Sequence, residues 1–162
     1  MRIDRRYTKA GQSPYEGIAF RQATSEIRNP DGSIVFRLEG IEVPEAWSQV
    51  AADILAQKYF RKRSVPAKNK RVEENDIPGW LWRSLPDEEA LATLPEDRRF
   101  GGETSAKQVF DRLAGTWTYW GWKGGYFDTE EDASAFHDEL RHMLARQMAA
   151  PNSPQWFNTG LH

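Results

Sequence analysis

The residues best suited to chemistry lie near the end of this 162-residue sequence. Ser153 stands between Asn152 and Pro154, just ahead of Trp156, Phe157 and Asn158. A hydroxyl there, with nearby backbone N–H groups, could meet a phosphate through charge-assisted hydrogen bonds. The same Asn-Ser-Pro composition also makes an ordinary turn that carries a Trp-Phe anchor. Glu139 and His142 have the Glu-x-x-His spacing of di-iron bundles. Such a site needs a second copy and two further carboxylates; the sequence shows no second copy, so the pair reads as a solvated helix face. His137 and His142 are five residues apart, which does not put them on one helix face as zinc-binding His-x-x-x-His does. Seven basic residues fall between Lys58 and Arg71 with no acid among them. That run could grip phosphates or nucleic acid. Glu73, Glu74 and Asp76 follow at once, however, and charge blocks of this kind are usually solvated. Gly121-Trp122-Lys123-Gly124-Gly125 lacks the Gly-Lys-Ser/Thr ending of a phosphate-binding loop.

The elements that must position these residues are legible in outline. The length suits one domain, or a domain with an arm. Seven Trp, eight Phe and five Tyr predict an aromatic rather than a branched-aliphatic core. A net charge of −2 gives no global pull toward nucleic acid or a membrane. The absence of any long apolar run predicts no spanning helix, and the charged start lacks the apolar stretch of a secretory signal. Cysteine is absent, which excludes disulfides and thiol chemistry on these residues, and a cytoplasmic location is expected.

Residues 1–17 read as a loose arm. Asn29-Pro30-Asp31-Gly32 predicts a turn between β-prone residues at Ile27 and Ile34-Val35-Phe36, hence a small hairpin. A first helix is expected from about Pro44 to Lys58 or Tyr59, with Trp47, Val50, Ala51, Ile54 and Leu55 on its apolar face. Residues 61–104 read as loop-rich, with a turn at Ile77–Trp82 presenting Trp80 and Trp82 and a short helix behind Asp87. Ser105 and Gln108 fit a capping box opening a second helix. A third starts after Asp128 or Thr129, with Glu130, Glu131 and Asp132 at the positive end of its dipole. Pro151 stops it, and two prolines hold the closing residues extended, with no evident cover for Trp156 and Phe157. The fold class expected is therefore mainly α: a small helical domain of three main helices with a short N-terminal β-hairpin. The predicted core comprises Trp47, Phe110, Leu113, Trp117, Phe136, Leu140 and Leu144.

Longer stretches carry a resemblance. Gly101 to Trp117, Gly125-Tyr126-Phe127 and Ala150 to Gly160 strongly resemble the N-terminal region of adenosylcobalamin-dependent (class II) ribonucleotide reductases. Asn29 to Phe36, Val43 to Gln49 and Gln57 to Phe60 match as well. The resemblance implies three regions: the arm at 1–17, a helical domain at 18–150, and at 151–162 a segment leading into an α/β barrel. That barrel, which would carry the radical-bearing cysteine, the redox cysteine pair and the catalytic Asn and Glu, lies outside the sequence. So the chain looks truncated before it and inactive alone, with no catalytic residue of its own. The family's hydroxyl-Pro-x-x-Phe-Asn motif maps onto Ser153, implying that this residue helps hold the phosphate end of a nucleotide, with Pro154, Phe157 and Asn158 as scaffold.

The function implied is structural support of the substrate site in a ribonucleoside-diphosphate reductase. Adenosylcobalamin would be bound elsewhere in the parent enzyme, and no metal is expected on this portion. The barrel and a ribonucleotide are the implied partners, a homodimer is possible, and neither membrane nor nucleic acid is a favoured partner. Two alternatives stand beside it: a free-standing interaction module using Trp80 and Trp82, and a weak nucleotide or nucleic-acid binder using residues 58–71.

Overall fold

The computed structural model describes residues 1–160; Leu161 and His162, the last two of the expected 151–162 segment, lie outside the described residues. It begins with a long antiparallel hairpin, β1 (Phe20–Arg28) and β2 (Ile34–Pro44). The Asn29–Gly32 turn forms where the composition predicts it. Gly32 takes φ +86°, and Asp31 accepts hydrogen bonds from the Ser33 backbone and hydroxyl at 2.9 and 2.6 Å. The hairpin is far longer than expected. β2 runs on through Ile41 and Val43, both fully buried, and Phe20 pairs with Pro44 at its end. Pro44 thus closes a strand, where its missing N–H disturbs no central ladder; it does not open a helix.

The first helix is correspondingly shorter. α1 (Gln49–Ile54) is capped by Ser48, whose hydroxyl accepts from Ala51 N, and it passes into a π-helical turn at Leu55–Tyr59. Trp47 sits before the helix, with its indole N–H donating to the Ala145 carbonyl at 2.8 Å. Val50 and Ile54 face solvent, 66% and 42% exposed, so the apolar face expected for this helix is only partly buried.

Residues 61–104 contain more order than a loop. β3 (Val65–Pro66) pairs with β6 (Phe100–Gly101), and β4 (Asn69–Arg71) pairs with β5 (Ser84–Pro86). Between them lies α2 (Glu88–Ala92), capped by Asp87 as the sequence suggests. With three two-stranded antiparallel sheets among the described residues, the domain is a small α+β fold, and the mainly helical expectation is incorrect. Short strands of this kind leave little periodic signal, because two or three residues cannot show alternation.

Two long helices carry the framework. α3 (Ala106–Lys123) opens with the expected Ser105/Gln108 capping box. α4 (Glu130–Ala145) is capped by Thr129. The two form a helical hairpin around the Gly124–Gly125 corner, with Phe127 packed against Phe136. Phe110 and Leu113 of α3 and Leu144 of α4 are buried against Ile41, Val43 and Leu55, while Trp117 and Leu140 pack at the edge of that core. Glu42 ties hairpin to helix: its carboxylate accepts from the Ser105 hydroxyl at 2.6 Å and from Lys107 Nζ at 3.1 Å. The Ser105 bond, with Lys107 behind it, holds that carboxyl below its ordinary range.

Candidate functional site

Ser153 begins a short helix, α5 (Ser153–Asn158), rather than an extended segment. Pro154 is accommodated because first-turn N–H groups have no intrahelical acceptor. Trp156 turns inward and is 8% exposed, its ring stacked on Tyr59 at 5.4 Å and its N–H bonded to the Pro151 carbonyl at 2.8 Å. The expectation that both closing rings lack cover therefore fails for Trp156. Phe157, 43% exposed, remains largely open. Ser153, Phe157 and Asn158 are all exposed. The Ser153 hydroxyl lies 3.0 Å from the Tyr59 hydroxyl.

One buried ion pair fixes α5. The Arg112 side chain on α3 is 9% exposed and that of Glu103 4%. Arg112 Nε donates to Glu103 at 2.8 Å. Its Nη1 donates to the carbonyls of Trp156 and Thr159 at 3.0 and 2.9 Å, and its Nη2 to the Tyr59 carbonyl at 2.9 Å. Glu103 also accepts from Arg61 N at 2.8 Å. A planar guanidinium with five N–H donors suits this fan of acceptors; an ammonium does not. Gly160 comes next with φ +74°, and a Cβ there would meet the Arg112 carbonyl at 2.7 Å, so the chain passes α3 at a distance only glycine permits. Sequence reasoning missed Tyr59, Glu103 and Arg112. The signal available was an arginine beside the buried stripe Val109, Phe110 and Leu113, nine residues after an acid.

The Glu139/His142 pair is not the solvated face that its spacing suggested. Both residues are buried, at 8% and 9% exposed. Glu139 accepts from the N–H of Tyr7 and Thr8 at 2.9 and 2.8 Å and from the Thr8 hydroxyl at 2.7 Å. Burial opposes ionisation there, but these donors hold the carboxyl below its ordinary range. His142 stacks on Tyr7 at 5.6 Å, with Nδ1 2.9 Å from the Pro14 carbonyl. Asp138 binds Arg5 at 2.6 Å, and Asp132 accepts from Ile3 N at 2.8 Å. The polar face of α4 is thus a slot for the first segment of the chain. No group of three or more potential metal ligands occurs among the described residues.

His137 stacks on Trp80 at 5.6 Å, and the Trp80 indole donates to Glu130 at 2.9 Å. The Trp82 indole donates to the Ile77 carbonyl at 2.9 Å. The two indoles expected to project are therefore partly buried against the chain. Burial, with Arg141 nearby, pushes His137 down to about 4 from an ordinary 6.5. The unfolded ring takes up its proton first, so stability is full above pH 6.5 and falls as the pH drops toward 4. Unfolding free energy should drop by about 2 kcal/mol between pH 7 and pH 5, and His137→Phe should remove most of that drop. An equal loss in the variant, measured by urea titration at the two pH values, would assign the effect to other groups.

Comparison with known proteins adds the family. The family model for class II vitamin B12-dependent ribonucleotide reductase matches residues 21–147. The whole chain is 71% identical to part of the vitamin B12-dependent ribonucleotide reductase of Bradyrhizobium diazoefficiens and 70% identical to part of that of Agrobacterium fabrum. Over 99% of the chain, identity to the Streptomyces coelicolor enzyme of the same name is 32%. In each case the chain spans about 13% of the relative's length. It belongs to the class II vitamin B12-dependent ribonucleotide reductases, corresponding to their N-terminal domain.

Proposed function

We propose that this domain supports the substrate site of a ribonucleoside-diphosphate reductase, with residues 18–150 as the structural unit and 151–162 leading toward the catalytic barrel. Ser153 contacts the phosphate end of the ribonucleotide, and Pro154, Phe157 and Asn158 set the local frame. The observation that carries the reading is the clamped α5: its backbone is tied to α3 by Arg112, while Ser153 faces outward. Replacing the ribose 2′-hydroxyl by hydrogen in this family needs a thiol, and this sequence has no cysteine, so the reacting sulfur comes from residues beyond it.

Adenosylcobalamin would supply the radical chemistry when bound, and neither imidazole buried on α4 is free to meet it. The ring of His137 is stacked on Trp80, and that of His142 lies between Tyr7 and the Pro14 carbonyl. The cofactor is assigned to the remainder of the enzyme. The 162 residues alone should show no turnover.

In the complete reductase, Ser153→Ala should raise KM for the ribonucleoside diphosphate about tenfold, the cost of one hydrogen bond to a charged group, with kcat little changed. Steady-state assays over a range of substrate concentration check this; an unaltered KM removes the phosphate role. A second reading has one observation behind it: Lys58, Arg63, Lys68 and Lys70 are exposed, and none forms an ion pair among the described residues. If they hold nucleic acid, affinity for single-stranded DNA should fall steeply with salt; weak binding that is flat in salt discards the reading.

A further inference from the structure

We propose that Tyr59 is a second substrate-binding residue at the Ser153 site, its phenolic hydroxyl donating to the same phosphate end. This rests on the phosphate role of Ser153 and adds a residue to it. The two hydroxyls lie 3.0 Å apart, and either can donate to the other. Together they hold two O–H hydrogens, and the contact between them uses one. The other is free to turn toward an anion, and both can do so once an anion arrives.

The rest of the environment fixes where the Tyr59 oxygen points. Its ring packs on Trp156, stacked at 5.4 Å, and on the tilted Phe157 ring at 5.2 Å. Its backbone carbonyl is held by Arg112 at 2.9 Å, and the same guanidinium holds the carbonyls of Trp156 and Thr159. A single buried group therefore sets both halves of the hydroxyl pair, which makes Arg112 a positioning residue. Tyr59 also ends the π-helical turn, a wide turn that recurs at functional sites in proteins. Lys58, next to it in the chain, is exposed and adds positive charge. A tyrosine needed only for packing against Trp156 would not require its hydroxyl to reach Ser153.

Tyr59→Phe keeps the ring and removes only the oxygen. In the complete reductase, with a ribonucleoside diphosphate as substrate, it should raise KM about tenfold and leave kcat and the melting midpoint near wild type. In the Tyr59→Phe/Ser153→Ala double variant, KM should rise by less than the product of the single effects, because both hydroxyls act on one group. If Ser153→Ala raises KM and Tyr59→Phe does not, the Tyr59 assignment is wrong and the Ser153 reading survives. If neither raises KM, the phosphate site itself is wrong and Tyr59 falls with it. Single effects that multiply fully would place the two hydroxyls on separate groups and overturn the shared site.

Discussion

Arg112→Met should lower the unfolding free energy of the chain by about 3–5 kcal/mol, the cost of leaving a buried charge without its partner. The substitution keeps a long apolar side chain, so little packing is lost. The Glu103 carboxylate, 4% exposed, is left with only the Arg61 N–H as donor. The carbonyls of Tyr59, Trp156 and Thr159 lose their donor as well. Against a total stability on the order of 5–15 kcal/mol for a domain, that is a large share. Arg112→Lys should recover only part of the loss, since a single ammonium cannot reach four acceptor groups spread over a plane. Removing both charges, as in Arg112→Met with Glu103→Leu, should cost less than Arg112→Met alone. Urea denaturation of the three variants decides the matter. A loss under about 1 kcal/mol for Arg112→Met would mean that the pair is dispensable and α5 is held by packing alone.

Phe110→Ala should cost about 3–5 kcal/mol by the same measurement, through lost burial and the cavity left behind. The ring is fully buried, with Trp47 at 5.7 Å and Tyr15 at 6.4 Å between centroids. The useful control is Val50→Ala. Val50 falls on the apolar face that periodicity gives the first helix, yet it is 66% exposed, and its truncation should change stability by less than about 0.5 kcal/mol. Comparable costs at the two sites would mean that the first helix packs through Val50 after all.

The contrast between those two positions shows what could be read ahead of the structure. Local signals were dependable. Ser105 and Gln108 make their capping box, Thr129 and Asp87 cap their helices, and the Asn29–Gly32 turn closes the hairpin. Each is decided within a few residues. Features decided by distant partners were not legible. The hairpin extends through Pro44 because Ile41 and Val43 find a core supplied by α3. Glu139 and His142 are buried because residues more than a hundred positions earlier cover them. At Ser153 the residues alone allow either a phosphate-facing hydroxyl or a plain turn, and the resemblance adds weight to the first. Tyr59 gave no local sign, and Arg112 only its place beside a buried stripe, since their partners lie across the fold.

The π-helical turn at Leu55–Tyr59 ties spacing to chemistry. A turn of this kind holds one residue more than a regular helix, and each residue of an α-helix advances the side-chain direction by roughly 100°. Deleting any one residue between Leu55 and Lys58 would restore a regular helix and swing the phenol off the indole beneath it. Relatives that keep the aromatic contact must then keep the length of this stretch, whatever else they exchange in it. Insertions and deletions, tolerated in most surface turns, are excluded here by geometry alone.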